Sequence, residues 1–206
     1  SMESVQWNYR FHPQSSDGQS RNRNSLPFPA LRGAYQLSNA ACALTVLECL
    51  NNQLPVDIGA IKRGLLLVEN PGRFQVLPGR PLVVLDVGHN PHAARALRRS
   101  LINLAFAQKR TAVFSMLSDK DIDGVLEIVK DQFDEWNIAP LDVPRGMTVE
   151  ALQAKLAEHG IDNVNVFETV AAAYRAALAK ATENDRIVVF GSFHTVADVM
   201  AVLKEH

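Results

Sequence analysis

The sequence predicts an α/β fold, a Rossmann-like and mostly parallel sheet with helices on both faces, preceded by a smaller helical segment. Two observations carry this prediction. From Arg73 onward, short apolar runs of strand length alternate with stretches of helical periodicity. One of these runs, Leu82 to Asp86, turns sharply through Gly88 into a helix start. Such alternation is typical of βαβ units, in which helices cover both faces of a parallel sheet.

The composition excludes several classes of partner. The chain has 206 residues, 47% of them hydrophobic and 21% charged, with a net charge of −1. This balance gives no reason to expect nucleic acid or an anionic membrane surface as a partner. No apolar run reaches the length of a membrane span, and the first residues lack the pattern of a signal peptide. We therefore expect no nucleic-acid or membrane partner.

The two cysteines indicate a reducing compartment. Cys42 and Cys49 lie seven residues apart on one predicted helix. Their Cα atoms would be roughly 10 Å apart, which is too far for a disulfide. We expect two buried free thiols and a cytoplasmic protein.

The first 70 residues are predicted to form a strand, a loop and two helices. Residues 5–11 alternate as a strand does, 15–25 have loop composition, and helical periodicity covers 37–51 and 58–68. The arginines of this region are scattered, which favours a solvated surface. Because so few elements cannot close a core, we expect the end of a larger domain, with a boundary near Asn70. The opening Ser-Met pair is typical of a cloning scar, so the chain is interpreted as a fragment.

Residues 71–206 are predicted to form a complete second domain. The predicted strands are 74–77, 82–86, 111–115, 136–140, 164–167 and 186–191. The predicted helices are 91–104, 121–134, 148–158, 168–182 and 194–204. Helices of this length between strands imply a largely parallel sheet.

The stretch from Pro81 to Ala94 contains the main candidate site. Asn90 is a good helix N-cap, and Pro91 suits the first helical position. Asp86 and His89 are therefore placed at the carboxyl end of a strand beside a helix N-terminus, where open α/β sheets bind ligands. A carboxylate there could accept hydrogen bonds from a ribose, or could cap the turn that follows; position alone does not separate the two.

Other residues are weaker candidates. His89 and His92 are three apart, but no further ligand completes a metal site nearby. Arg73 follows the turn Asn70-Pro71-Gly72 and could bind a phosphate or form a surface ion pair. Asn39 could contact an adenine edge or face solvent.

Two later loops also reach the predicted ligand edge. Lys120 follows one strand, and Ser192 and His194 follow the last strand at a helix start. Anion or substrate contacts suit these positions better than nucleophilic catalysis, because there is no G-x-S-x-G motif. There is also no phosphate loop and no complete G-x-G-x-x-G fingerprint. Nucleotide binding would therefore need phosphate-binding parts from outside this chain.

Taken together, the motifs resemble the folylpolyglutamate synthase/dihydrofolate synthase branch of the Mur ligase superfamily. The later motifs are similar to those of its bifunctional bacterial members. The resemblance runs from about Leu26 to the C-terminus, with the motifs in the family's order. They are Asn39-Ala40-Ala41, Asn70-Pro71-Gly72-Arg73-Phe74-Gln75, Leu85-Asp86-Val87-Gly88-His89-Asn90-Pro91-His92-Ala93-Ala94, Met116-Leu117-Ser118-Asp119-Lys120-Asp121 and Gly191-Ser192-Phe193-His194-Thr195-Val196.

The resemblance implies a domain organisation and a set of site residues. Residues 1–70 would be the C-terminal remnant of a central P-loop ATP-binding domain, and residues 71–206 the C-terminal Rossmann-like Mur ligase domain. Asn39 and Arg73 would contact ATP, Asp86 would hold its ribose, and His89 would lie near the reacting groups as a catalytic residue. The residues facing the incoming L-glutamate would be Lys120, Ser192 and His194.

The resemblance also implies an ATP-dependent ligase reaction. Mg-ATP would convert the carboxylate of dihydropteroate or a folate to an acyl phosphate, which the amine of L-glutamate then attacks. The P-loop and the Mg²⁺ ligands would precede this chain, so the fragment alone would be inactive and hold no metal. The intact enzyme would be monomeric, whereas the fragment would self-associate. A fragment of a cell-wall precursor ligase and a non-catalytic nucleotide or amino-acid binding module remain as alternatives.

Overall fold

The computed structural model describes residues 6–12, 20–33 and 35–205. The chain divides after Asn70 into two compact units, 1–70 and 71–206. Each unit has a hydrophobic core of its own. No helix in the described ranges is both long enough and apolar enough to cross a membrane.

The N-terminal unit consists of a β-hairpin and two helices. The antiparallel strands are β1 (Gln6–Phe11) and β2 (Arg21–Pro27), followed by α1 (Gln36–Cys49) and α2 (Ile58–Leu67). The helices begin and end within two residues of their predicted bounds. Asp57 caps α2 by accepting a hydrogen bond from the Ala60 N–H at 2.9 Å. The buried core is small and consists of Tyr9, Leu26, Leu44 and Ile61.

The predicted loop over residues 15–25 is wrong in its second half, because β2 begins at Arg21. The two arginines of β2 pair with Glu48, which is buried on α1. Arg21 and Arg23 contact the Glu48 carboxylate at 3.2 and 2.7 Å. These two arginines are therefore paired with a buried carboxylate rather than solvated. Residues 13–19 lie outside the described residues.

The expected burial of the two cysteines is also wrong. Cys42 and Cys49 are both exposed free thiols. The face of α1 that is buried follows an i, i+4 row of Gln36, Ala40, Leu44 and Glu48. Because the buried carboxylate fixes this row, the cysteines fall on other faces of the helix.

The C-terminal unit is a six-stranded sheet with helices on both faces, as predicted. Its strands are β3 (Gln75–Leu77), β4 (Leu82–Asp86), β5 (Arg110–Phe114), β6 (Glu135–Ile138), β7 (Val164–Val166) and β8 (Arg186–Phe190). Its helices are α3 (Pro91–Ile102), α4 (Ile122–Val129), α5 (Val149–Glu158), α6 (Val170–Lys180) and α7 (Phe193–Leu203). The predicted helix 121–134 is shorter than expected, because a 3₁₀ turn over Lys130–Gln132 follows α4 and precedes the buried Phe133.

The strand order is β3-β4-β8-β5-β6-β7, and only β3 runs antiparallel to its neighbour. Successive side chains of a strand point to opposite faces. Val84 therefore joins the core under α3, α4 and α5, whereas Val83 and Leu85 join the core under α6 and α7.

This topology predicts a ligand-binding crevice at the carboxyl ends of β4 and β8. The two strands are parallel neighbours that end at the same level, because Asp86 pairs with Phe190. α3 follows β4 on one face of the sheet, and α7 follows β8 on the other. Connections that diverge from adjacent strands open the crevice in which α/β sheets bind ligands.

Candidate active site

Asp86 is the last residue of β4, and its carboxylate accepts hydrogen bonds from the turn before β3 and from the loop after β4. Its Oδ2 accepts a hydrogen bond from the Phe74 N–H at 3.0 Å, and its Oδ1 accepts one from the Gly88 N–H at 2.7 Å. The residue is only 5% exposed. The capping role that the sequence left open is therefore real. Each oxygen retains a second lone pair for another donor.

Burial raises the pKa of the Asp86 carboxyl above its usual value. The Gly88 and Phe74 N–H groups and the charge of Arg73 act in the opposite direction. The charge of Arg73 thus acts directly on this carboxylate.

The turn that carries Arg73 is fixed against the loop after β4. Gly72 has a φ of 73°, and its carbonyl accepts a hydrogen bond from the Val87 N–H at 2.7 Å. A Cβ at position 72 would lie 2.8 Å from Val87 Cγ1 and 3.1 Å from Val196 Cγ1. Only glycine therefore fits this turn, which packs against both the β4 loop and α7.

A residue with unusual backbone geometry follows Arg73. The buried Phe74 has a φ of 46°, in the left-handed region that aromatic residues rarely adopt. Such a conformation costs roughly 1–3 kcal/mol and is found most often at functional sites. The Phe74 N–H is the group that donates to Asp86.

The loop after β4 fixes the orientation of His89. The Nδ1 of His89 lies 2.9 Å from the Val87 carbonyl oxygen. Because a carbonyl oxygen only accepts, Nδ1 must carry the proton, which leaves Nε2 of the neutral ring as an acceptor. The next residue, Asn90, caps α3 by accepting from the Ala93 N–H, and Pro91 is the first helical residue. Both assignments were predicted and are confirmed.

The turn after β8 is built from buried contacts. Gly191 has a φ of 107°, and a Cβ there would lie 2.4 Å from the Ser115 carbonyl oxygen. The buried Ser192 caps α7 by accepting from the His194 N–H at 3.1 Å. Thr195 Oγ1 donates to the same Ser115 oxygen at 3.0 Å. This turn is therefore anchored to the end of β5.

The first residue of α7 joins the two preceding loops. The Phe193 ring contacts both the Arg73 guanidinium, whose carbon lies 5.5 Å from the ring centroid, and the His89 ring, at 6.0 Å between centroids. Three segments that are distant in sequence thus meet at one edge of the sheet. We call Arg73, Asp86, His89 and Phe193 the Arg73 cluster.

The structure does not bring all the predicted residues into this cluster. Lys120 follows β5 at the same edge, but its ion pair is with Asp119 at 3.6 Å. Ser192 is 3% exposed, so its hydroxyl serves α7 rather than an open surface. His194 is exposed and lies one turn before Asp198. Burial raises the pKa of Asp198, and the charge of His194 opposes that shift.

Asn39 belongs to the N-terminal unit. It is exposed on α1, and its Nδ2 donates to Gln36 Oε1 at 3.0 Å. The amide is therefore oriented within its own helix.

Sequence reasoning missed Phe193. The available signal was an aromatic residue at a helix start after a Gly-Ser turn, a position at which an apolar side chain has little core to enter. The contacts with Arg73 and His89 come from segments far apart in the chain, so local pattern could not reveal them.

The described ranges contain no group of three or more His, Cys, Asp or Glu side chains suited to a metal ion. A surface cavity of about 690 Å³ lies between α3 and α4, away from the Arg73 cluster. Two of its basic side chains are already paired, Arg98 with Asp131 at 2.7 Å and Lys130 with Glu127 at 2.8 Å. The cavity includes none of the predicted site residues.

The fold and this edge of the sheet define a ligase domain. Residues 72–193 match the sequence profile of the family described as "Mur ligase, glutamate ligase domain". The chain belongs to this family. The match begins at the Arg73 turn and ends at Phe193, so it spans the whole Arg73 cluster.

Comparison with individual proteins shows which members of the family the chain is similar to. The chain is 40% identical over 201 residues to the dihydrofolate synthase/folylpolyglutamate synthase of Escherichia coli K12. This alignment covers 97% of this chain and 45% of that protein. The structure of E. coli FolC in complex with DHPP and ADP is 38% identical with a TM-score of 0.78, over 93% of this chain and 45% of that one. A bifunctional folylpolyglutamate synthase/dihydrofolate synthase with Mn, AMPPNP and L-glutamate bound is 45% identical with a TM-score of 0.76, over 89% and 42%. The chain thus spans less than half the length of these relatives.

Proposed function

We propose that this chain is the C-terminal part of an ATP-dependent ligase that adds L-glutamate to dihydropteroate, to folates, or to both. The observation that supports this most directly is the Arg73 cluster. It combines a guanidinium, a buried carboxylate and an imidazole at the switch point of the sheet. Two relatives that resemble the chain over most of its length are named as synthases of this kind.

Two members of the cluster, Arg73 and Asp86, have proposed roles in binding ATP, together with Asn39. The Arg73 guanidinium would balance phosphate charge, because it is always ionised and presents several N–H donors. The remaining lone pairs of Asp86 would accept ribose hydroxyl hydrogen bonds. Asn39 of the N-terminal unit would contact the base.

The proposed reaction makes a poor electrophile reactive. The γ-phosphoryl group of ATP passes to a carboxylate oxygen, ADP leaves, and the product is an acyl phosphate. The amine nitrogen of L-glutamate then attacks the acyl carbon, the C–O bond to phosphate breaks, and the nitrogen loses a proton as the amide forms. Positioning and charge neutralisation dominate phosphoryl transfer. His89 would present its Nε2 acceptor to the reacting groups.

The L-glutamate site is proposed on the neighbouring loops. Lys120 and His194 would attract the carboxylates of the amino acid, and Ser192 would hold the start of α7 in place beside them. A divalent metal is expected to accompany ATP, as Mn accompanies AMPPNP in a relative. The described residues offer no ligand cluster for Mg²⁺, so its ligands would lie in the N-terminal part of the enzyme that this chain lacks.

The same proposal extends to domain organisation and location. Residues 1–70 would be the end of a P-loop ATP-binding domain, and residues 71–206 a C-terminal Rossmann-like ligase domain. The enzyme would be a cytoplasmic monomer, in keeping with two exposed free thiols.

The test is an assay of the full-length protein that contains this chain. Phosphate release with ATP and L-glutamate should depend on dihydropteroate or a reduced folate. Release with a cell-wall precursor but with no folate would overturn the substrate assignment. Tight binding of ATP by this chain alone in calorimetry would favour a stand-alone binding module instead.

A further inference from the structure

Phe193 is exposed at a position where the backbone is tightly held. Its side chain is 55% exposed, whereas the residues of α7 that enter the core are Thr195, Val196, Val199 and Val202. An exposed aromatic ring contributes little to the core. The ring must therefore be explained by what it contacts outside the core.

The backbone around Phe193 allows little movement. Gly191 leaves no room for a Cβ beside Ser115, and the Ser192 hydroxyl caps the helix that Phe193 begins. The Thr195 hydroxyl ties the same turn to β5. The ring is thus attached to a rigid support at the carboxyl edge of the sheet.

The two partners of the ring are held less firmly. Within the described ranges, no hydrogen bond or ion pair joins the Arg73 guanidinium to another side chain, and its close contact is the Phe193 ring at 5.5 Å. The His89 ring has one hydrogen bond, to the Val87 carbonyl, and packs against Phe193 at an interplanar angle of 51°. A cation over an aromatic face is attracted by the ring quadrupole.

We propose that Phe193 is a positioning residue, which sets the distance between the Arg73 guanidinium and the His89 imidazole. The inference rests on the proposed function, in which Arg73 meets the phosphates of ATP and His89 meets the reacting groups. The ring keeps both groups pointed at one place before the substrates arrive, so less ordering is required during the reaction.

The test compares replacements of Phe193 in the full-length enzyme. Phe193→Leu keeps an apolar side chain but removes the ring, and Phe193→Tyr keeps the ring. Phe106→Ala is the matched control, because Phe106 is 92% exposed and lies on the loop after α3. All variants should keep the wild-type thermal midpoint within about 2 °C, since surface substitutions rarely change stability much.

We expect Phe193→Leu to lower kcat/KM for ATP about tenfold. Loss of one exposed cation–π contact alone would cost roughly threefold, and misplacement of a reacting group costs roughly a hundredfold. Phe193→Tyr should stay within about twofold, because the aromatic face is retained. Phe193→Leu should cause a smaller loss in an Arg73→Ala background than in the wild type, because the ring then has only His89 left to position. Wild-type kinetics for Phe193→Leu, or an equal loss in Phe193→Tyr, would overturn the inference.

A spectroscopic readout separates this inference from the proposed function. In this chain, the ring of Phe193 should shift the proton resonances of the His89 imidazole, and Phe193→Leu should remove that shift while leaving those of His159 unchanged. If Arg73→Ala and Asp86→Ala leave full-length activity intact, the proposed function fails. If they reduce it but neither the kinetics nor the His89 resonances respond to Phe193→Leu, only the positioning role fails.

Discussion

Asp86 serves two demands with one carboxylate. Its two backbone hydrogen bonds join the Arg73 turn to the β4 loop, while burial raises its pKa. A carboxyl with a raised pKa adds to stability at low pH, and that contribution is lost as the pH rises through the folded-state pKa. Ionisation of Asp86 is therefore less favourable in the folded unit than in the unfolded chain, and its two backbone hydrogen bonds offset part of that cost.

We predict that Asp86→Ala lowers kcat/KM for ATP in the full-length enzyme by about ten- to a hundredfold, as expected for a lost charge-assisted hydrogen bond of about 1.5–3 kcal/mol. Steady-state kinetics at varied ATP would measure this. Asp121→Ala is the control, because it removes a carboxylate that caps α4 through the Gly124 N–H at 2.9 Å but has no proposed ligand role. An equal loss in both variants would indicate a folding effect.

A second buried aspartate should contribute to the acid sensitivity of this unit. Asp185 accepts hydrogen bonds from the Thr182 N–H at 2.7 Å, the Thr182 hydroxyl at 2.9 Å and the Lys109 N–H at 3.0 Å. The Thr182 N–H bond in particular holds its pKa below the usual range. A lowered pKa gives stability that is present above the unfolded-state pKa and lost as the pH falls through the folded value.

We predict that Asp185→Asn lowers the free energy of unfolding by about 1–3 kcal/mol at pH 7. The difference from wild type should shrink below about pH 4, where the wild-type carboxyl also becomes protonated. Urea denaturation between pH 3 and 7 would test this, with the exposed Asp162→Asn as control. A difference that stays constant across the range would contradict the assignment.

Individual residues also mark how far sequence reasoning reaches. Asn90 and Pro91 were placed correctly because a cap and a first helical turn depend on neighbours in the chain. The roles of Glu48 and Phe193 were missed, because Arg21, Arg23 and Arg73 reach them from distant segments. The burial of a charged residue such as Glu48 can be predicted only when its partners are known.

At the level of elements, the strands and helices of residues 71–206 were predicted to within a few residues, because buried parallel strands give continuous apolar runs. The strand β2 was not, because its outward-facing polar side chains resemble a loop. The short turns between elements matter as much as the elements themselves. The turn at Gly191 decides where α7 begins.

We predict that Gly191→Ala lowers the free energy of unfolding by about 3 kcal/mol or more, through an unfavourable φ and a clash with Ser115. Gly79→Ala is a matched control, because Gly79 has a similar φ of 119° with open space around it. That variant should cost only about 1–2 kcal/mol, from the backbone conformation alone. Chemical denaturation would measure both, and equal costs would show that the Ser115 contact is unimportant.

On the scale of the whole chain, the two units differ in how well they cover their apolar side chains. The N-terminal unit exposes several large ones, including Val46 at 56%, Leu54 at 62%, Leu66 at 56% and Leu67 at 74%. Exposed apolar side chains favour association, because a partner that covers them removes apolar surface from water.

We predict that this chain self-associates through α1 and α2. The weight-average mass in light scattering should rise with concentration, and a Leu66→Lys, Leu67→Glu double variant should reduce that rise. Ile102→Lys is the control, since Ile102 is 59% exposed in the C-terminal unit. A monomer at every concentration would contradict the prediction.

The strand order has a consequence for biosynthesis. β8 is the last strand in the chain, yet it lies in the middle of the sheet, between β4 and β5. In the folded unit β8 joins β3-β4 to β5-β6-β7, so a nascent chain on the ribosome that ends at β7 lacks the strand that connects these two groups. The domain therefore completes its fold only after residues 186–190 leave the exit tunnel, and until then it presents two open strand edges to chaperones.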